Sequence, residues 1–450
     1  MQEKQQAPVA LKKAHTLHHL NHKRQDPYFW MNQRDSPEVL EYLEAENRYY
    51  ESQTAHTKAF ESQLFEEMKA RIKEDDSSVP YKHNGYWYIT KFELGKEYPI
   101  YTRRKESLEA PEELLFDSNI MAQGHDYFNL GGFSVSPDNR YCIFSTDKVS
   151  RRQYVLQIKN LETGEILQDS IENTTGSASW AADSHTFFYT LKNPTTLRSE
   201  AIFRHELGQQ GPDTEIYKET DETFNTYVFK TKSKKYIVIG SSSTLTTEYQ
   251  IFPADTPFAS PKIFSKRERG LEYDLNHYED HFYILTNKDG ATNFKVMRAH
   301  EISTEQSHWE EFIPHRPEVL VEDISIFKDF YVLSERSHGL TRIFIQPWDA
   351  NNGGHYLPFN SETYTAYVGT NPEFDTHLLR FGYNSLSTPA SVYDYNVQTR
   401  EKILLKQQEV LDPSFNERDY ISKRIWASAE DGIQVPISLV YHKDTPVDGS

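Results

Sequence analysis

Three groups of side chains have types and spacings that could do chemistry, and each asks for a different reaction. A serine nucleophile on a sharp strand-to-helix turn needs glycine two residues before it and two after, so that its hydroxyl stands clear of the backbone. The run Gly240-Ser241-Ser242-Ser243 begins that way, but no glycine sits two residues after any of these serines. His15, His18, His19 and His22 fall at intervals that would share one helical face, and neutral imidazoles so arranged can hold zinc. No carboxylate or thiolate completes that set, and neither HExxH nor a Walker-type glycine loop occurs, so no metal and no cofactor is expected. His277, His281, His338 and His355 show no ligand spacing. Arg151-Arg152 offers a guanidinium fork that could bind a substrate carboxylate or latch two domains through a carboxylate pair. Two arginines paired locally on a blade edge would read the same way. Asp147, Glu172 and Asp183 carry no stronger claim than surface charge. The single cysteine, Cys142, lies in Tyr141-Cys142-Ile143-Phe144 and reads as a packed strand residue rather than a reactive thiol.

Composition narrows the partners. At 450 residues the chain exceeds one ordinary core unless that core is built from repeats. Aromatic residues make up 14%, with 29 Tyr and 26 Phe, which is ample material for burial. Against 49 Lys+Arg stand 67 Asp+Glu, a formal charge of -18, which argues against nucleic acid because phosphate binding needs a basic face. The same charge is compatible with drawing in basic peptides through a long-range field. One cysteine permits no internal disulfide and fits a reducing compartment. Met1 to Ala10 is polar without an apolar h-region, so no signal peptide is expected, and no stretch of about 18 apolar residues occurs to span a membrane. The expectation is a cytoplasmic chain without a membrane partner.

The elements that would position these residues change character twice. Ser36-Pro37-Glu38 reads as an N-cap followed by proline at the first helical position, with Val39, Leu40, Tyr42, Leu43, Tyr49 and Tyr50 at near-helical spacing. Phe60, Leu64, Phe65, Met68 and Ile72 continue at three- and four-residue steps, before the polar breaker Asp75-Asp76-Ser77-Ser78. From Tyr81 the pattern becomes short alternating strands between turn signals. Strand openings at Tyr81, Phe133, Ala178, Tyr227, Tyr273, Asp323 and Thr365 fall roughly 47 residues apart, the period of propeller blades. Turn-then-strand grammar repeats: Ser136 to Arg140 before Tyr141, Ala182 to His185 before Thr186, Asn371 to Asp375 before His377. Seven blades is the count, with boundaries soft enough that six or eight would fit. Finally Glu430-Asp431-Gly432 separates Arg424–Ala429 from Val435–Tyr441, a strong hairpin signal; a lone hairpin needs a sheet to join.

Landmarks spread along the chain resemble the prolyl oligopeptidase family, and within it the oligopeptidase B group. They are Asp26-Pro27-Tyr28-Phe29-Trp30, Ser36 to Leu40, Glu44 to Asn47, Ser150 to Tyr154, Asn160 to Gly164, Gly382 to Pro389 and Asp431 to His442. The resemblance implies an all-β seven-bladed propeller inserted into an α/β-hydrolase domain assembled from both ends. It assigns residues 1–76 to the helical start of the hydrolase domain, 77–420 to the propeller and 421–450 to the first hydrolase strands. It also implies cleavage of short peptides after Lys or Arg, the propeller excluding folded proteins. It places no catalytic residue in this chain: nucleophile, Asp and His, and the acidic pocket for a basic substrate residue, are expected beyond Ser450, leaving the 450 residues inactive alone. The hydrolase domain and short basic peptides are then the expected partners, with hinges near 75–80 and 418–424. Two alternatives stay open: a stand-alone propeller that serves as a binding module, and a sister peptidase of proline or dipeptidyl specificity.

Overall fold

The computed structural model describes residues 6–349 and 353–449. The chain divides into two compact units, Met1–Lys73 with Leu411–Pro413, and Glu74–Val410 with Ser414–Ser450.

In the first unit, Ser36 caps helix α1 (Pro37–Thr54): its hydroxyl accepts from the Val39 amide at 3.3 Å, and Pro37 occupies the first turn where no amide donor is needed. Helix α2 (Lys58–Ala70) follows after one 3-10 turn. Leu40, Leu43, Tyr50, Phe60, Phe65 and Met68 remain exposed along the two helices. The histidine-rich segment is not helical. Thr16–His19 pairs with His22–Gln25 in a hairpin whose two-residue turn, Leu20-Asn21, takes positive φ at 46° and 65°. Alternation along strands sends His18 and His19 to opposite faces, so the helical zinc face does not form.

The second unit is a succession of antiparallel meanders. A five-stranded sheet holds Asp76–Ser77, Tyr81–His83, Tyr86–Phe92, Ile100–Lys105 and Glu112–Asp117. Four four-stranded sheets open with Asn225–Lys230, Tyr273–Tyr278, Leu320–Ile326 and Tyr364–Val368. Between them and the first lies one seven-stranded sheet running from Asn129–Val135 to Thr214–Lys218. The expected seven separate blades are therefore corrected: hydrogen bonding groups this region into six sheets, four of which have four strands. The physical cause is Ile166–Trp180, a 15-residue strand. Its first half pairs with Tyr154–Asn160 and its second half with Thr186–Lys192, so the chain passes from one meander to the next without breaking the ladder. Trp180, buried at its end, donates its indole N–H to the Ser134 carbonyl at 2.9 Å and fastens the two halves.

Apolar clusters fill the spaces between consecutive sheets. Tyr249, Phe264, Tyr273, Phe282 and Trp309 join the sheets that open at Asn225 and Tyr273, while Phe330, Val332, Leu379 and Phe381 join those that open at Leu320 and Tyr364. Each such ring or branched side chain contributes about 1.5–3 kcal/mol on burial, which is why sheets too thin to bury two faces alone are stable in a row. The last and first sheets share no strand. Polar bonds cross that seam: Arg380 to the Pro80 carbonyl at 2.6 Å, the Asn84 amide to Glu373 at 2.6 Å, and Lys406 to Asp76 at 2.6 Å. Arg380 is aimed by a two-point pair with Asp394, 2.8 and 2.9 Å.

The final hairpin, Tyr420–Ser428 with Gln434–His442, turns at Gly432, whose φ of +84° suits only glycine comfortably. Thr363 donates to Ser422 at 3.0 Å and the Arg424 amide donates to Glu362 at 3.1 Å, yet Ile425, Trp426, Val435, Ile437 and Val440 stay exposed. Among the described residues no helix is long and apolar enough to cross a membrane.

Candidate functional site

Arg151 and Arg152 stand on the turn between Tyr141–Asp147 and Tyr154–Asn160. That turn is templated by Asp147. Expected at the surface, Asp147 is instead 1% exposed, because its carboxylate is needed inside: it accepts from the amides of Val149 at 2.9 Å and Arg152 at 2.7 Å. Ser150 and Arg152 take left-handed φ of 61° and 54°, and Lys192 donates to the Arg152 carbonyl at 2.7 Å. The backbone is thus tied at three points while both guanidinium groups are exposed, with no hydrogen bond or ion pair among the described residues. Burial, followed by the neighbouring Arg152 charge, holds the Lys192 amine below the usual lysine range. The arrangement presents cations on a fixed loop and can receive a carboxylate. Glu172 is exposed and lines a groove of about 920 Å³; Asp183 is exposed and caps its turn by accepting from the amides of His185 and Thr186.

A second constellation forms where turns of different sheets approach one another. The strand Asn225–Lys230 runs into a tight turn fixed by Thr231, whose hydroxyl meets Ser233 at 2.9 Å and the Tyr236 amide at 3.1 Å. From this turn Lys232 reaches the sheet that opens at Leu320, where its ammonium lies 3.3 Å from the centre of the Phe327 ring. Lys230 and Lys232 have no hydrogen-bond acceptor among the described residues. Burial pushes the Lys232 amine down to about 7 and the Lys230 amine to about 8. His83 of the first sheet is likewise lowered, by burial and then by Lys234. Asp323 is exposed at its surface, and the protein packed around it raises its carboxyl above the ordinary range.

Sequence reasoning missed this set. The alternation Lys230-x-Lys232-x-Lys234 is visible in the chain, but a strand-edge charge run usually reads as solvated. Its meaning depends on Phe327, Asp323, His83 and Glu373, which arrive from other sheets and share no local pattern with it. The thiol of Cys142 is fully buried and pushed up to about 12 by that burial, so it is not nucleophilic at neutral pH. No group of metal-ligating side chains is assembled among the described residues.

Comparison with known proteins agrees with this architecture. The model of a family described as prolyl oligopeptidase, N-terminal beta-propeller domain, matches residues 8–408. A dipeptidyl aminopeptidase BI from Pseudoxanthomonas mexicana is 38% identical over 448 residues, covering 95% of this chain and 61% of that protein. A protease 2 from Moraxella lacunata is 30% identical, covering 93% of this chain and 61% of its own length. Among solved structures, oligopeptidase B from Leishmania major superposes with a TM-score of 0.89 at 29% identity, over 98% of this chain and 66% of that one. Oligopeptidase B from Trypanosoma brucei, with covalently bound antipain in a closed form, gives 0.88 at 28% identity over 98% of this chain and 66% of that one. The chain spans about three-fifths of the length of these curated relatives.

Proposed function

Because the chain belongs to the prolyl oligopeptidase family and carries its N-terminal β-propeller domain, we propose that it is the enclosing, size-selecting part of an oligopeptidase-B-like serine endopeptidase that cuts short peptides after Lys or Arg. The observation that carries this reading is the likeness to oligopeptidase B structures over 98% of the chain at a TM-score of 0.89. On this reading residues 1–76 and 421–450 belong to an α/β-hydrolase domain, and the exposed apolar side chains of helices α1 and α2 and of the final hairpin are the surfaces that domain covers. The serine, its histidine base and the supporting aspartate act from that domain: the hydroxyl attacks the scissile carbonyl, the imidazole takes the proton and returns it to the leaving amine. The propeller contributes enclosure, with Arg151 and Arg152 offering a carboxylate contact at its edge.

A second reading, removal of dipeptides from a free N-terminus, is favoured by the 38% identity to a dipeptidyl aminopeptidase. The two readings separate on one substrate pair. The gene product carrying this chain and its hydrolase domain is assayed on an arginyl coumarin peptide with its N-terminus blocked, and on a free-amine dipeptide of the same leaving group. Endopeptidase action hydrolyses the blocked peptide at least as well as the free one. Turnover of the free-amine substrate alone supports the aminopeptidase and removes the endopeptidase reading.

A further inference from the structure

We propose that Ser233 is a nucleophile in its own right, activated by His277 and Glu301, that takes the acyl or phosphonyl group of small activated compounds at the propeller surface. The proposal stands apart from the peptidase function above, whose nucleophile is assigned to the hydrolase domain.

Two sheets build the constellation. Ser233 lies in the turn after Asn225–Lys230, His277 on Tyr273–Tyr278, and Glu301 directly after Lys295–His300. The His277 Nδ1 meets the Ser233 hydroxyl at 2.9 Å and its Nε2 meets Glu301 at 3.1 Å. The imidazole is 1% exposed, with the Tyr236 and Phe282 rings each 4.9 Å away, so packing holds it on both partners.

The direction of each proton follows from the partners. Glu301 also accepts from Lys235 at 2.6 Å and from the Tyr236 hydroxyl at 3.0 Å. Burial opposes its charge, but the donors Lys235, Tyr236 and His277 outweigh burial and hold the carboxyl below the ordinary range. A carboxylate only accepts, so Nε2 carries the imidazole proton and Nδ1 keeps its lone pair. The Ser233 hydroxyl therefore donates to Nδ1. Behind it, Thr231 accepts the Tyr236 amide at 3.1 Å and can donate to the Ser233 oxygen at 2.9 Å, which fixes the serine in the turn. Hydroxyl, unprotonated ring nitrogen and carboxylate thus stand in the order that activates a serine, with the two ring nitrogens exchanged relative to the usual triad. The exchange keeps the chemistry, because the nitrogen without a proton is the base.

Ser233 is half-buried beside exposed Lys234 and Lys235, so reagents reach it from solvent. Its oxygen bonds to the acyl carbon as its proton passes to Nδ1. The bond to the leaving group then breaks, that group takes the proton, and the acyl-serine left behind is hydrolysed by water along the same route. Glu301 supports the transient imidazolium but is shared with Lys235, so electrophiles with good leaving groups are favoured. An acceptor on an exposed turn selects by reactivity rather than by shape, which points to small activated esters and fluorides and not to peptides.

The test treats the gene product carrying this chain with a small fluorophosphonate and locates adducts by peptide mapping and mass spectrometry, so a reactive serine elsewhere is read separately. At Ser233 an O–P bond replaces the P–F bond, fluoride leaves, and the proton passes through His277 to solvent. Ser233 is expected to react about a hundredfold faster than Ser243, another half-buried serine, whose hydroxyl meets the Thr246 carbonyl instead of a base. The groups facing His277 are Glu301, Lys235, Asp280 and Tyr236, and burial, outweighing Glu301, holds the ring below the ordinary histidine value. The rate is therefore expected to be level at neutral pH and to fall only in acid, below about pH 6.5. His277→Gln, which can still donate to Glu301 but is no base, is expected to slow labelling about a hundredfold. Glu301→Gln is expected to move the acid limb to lower pH, because the ring loses the carboxylate that raises its pKa. Labelling of Ser233 no faster than Ser243 overturns the proposal in the unaltered protein, and so does a rate that climbs with pH without a plateau. Undiminished labelling in a folded His277→Gln protein, or an acid limb unmoved in Glu301→Gln, also overturns it.

Discussion

His205 shows how one residue decides whether a long strand holds together. Its Nδ1 meets Asp213 and its Nε2 meets Asp169, both at 2.8 Å, so both ring nitrogens must donate and the ring is an imidazolium. Burial opposes that charge, but the two carboxylates outweigh it and raise the His205 pKa above the ordinary histidine value. The ring sits between Asp169 in the first half of the 15-residue strand and Asp213 before the last strand, and so ties the two halves of the fused sheet. A raised folded-state pKa gives stability that is full below about pH 6.5 and is lost as pH climbs through the raised value. His205→Ala is expected to cost about 3–5 kcal/mol at acid pH, where it strands two buried carboxylates. Urea unfolding of both proteins from about pH 6 to about pH 9 checks the sign: the wild-type advantage shrinks as pH rises. An advantage that grows with pH would mean the ring is neutral. At Arg151 the expectation is kinetic. In the peptidase proposed above, Arg151→Ala is expected to raise KM for an acidic-flanked peptide about fivefold while kcat holds, the worth of an exposed charge contact. Unchanged KM and unchanged domain closure would reduce the loop to decoration.

Within a sheet, cross-strand glycines make room for inner-strand tyrosines. Tyr227 pairs with Gly240, and Tyr367 with Gly382. A Cβ on Gly240 would stand 2.5 Å from the Tyr227 ring, and one on Gly382 2.2 Å from the Tyr367 ring. The outcomes differ because the rings differ in freedom. Tyr227 packs against the buried core and its hydroxyl meets Tyr249 at 3.1 Å, whereas Tyr367 is 54% exposed and can swing away. Gly240→Ala should cost about 1–3 kcal/mol and Gly382→Ala much less, measured as shifts in thermal midpoint. Equal losses would show that both rings are locked. Much at this scale was legible in the chain. The Ser36-Pro37 cap, the turns before Tyr141 and Thr186, and the Asp431-Gly432 hairpin rest on local rules that the surroundings do not override. Three readings failed, each overridden by pairing that the periodicity does not show. The histidines at 15–22 match a helical period, but Leu20-Asn21 accepts positive φ and closes a hairpin first. The blade break expected near Ala178 does not interrupt the ladder, because pairing on both sides carries Ile166–Trp180 straight through it. Asp147 looked like surface charge, and only the folded turn reveals two amides waiting for it.

Taken whole, the second unit is a row of sheets packed by apolar clusters and closed at its seam by side chains rather than by a shared strand. Such a body can be rigid within each sheet and still separate at the seam, which suits an enclosure more than a rigid platform. Side chains reach from sheet to sheet across it, as Lys232 does to the Phe327 ring and Lys406 to Asp76. The function proposed above requires this propeller to admit short peptides and shut out folded proteins. The most direct measurement is a length series, in which the gene product carrying this chain and its hydrolase domain digests blocked peptides of increasing length, each with one arginine, alongside a folded protein with an exposed arginine loop. Cleavage products are read by mass spectrometry. Scission after arginine is expected in the short members, with a steep fall as length grows and an intact folded protein. Rates independent of length, or digestion of the folded protein, would contradict it.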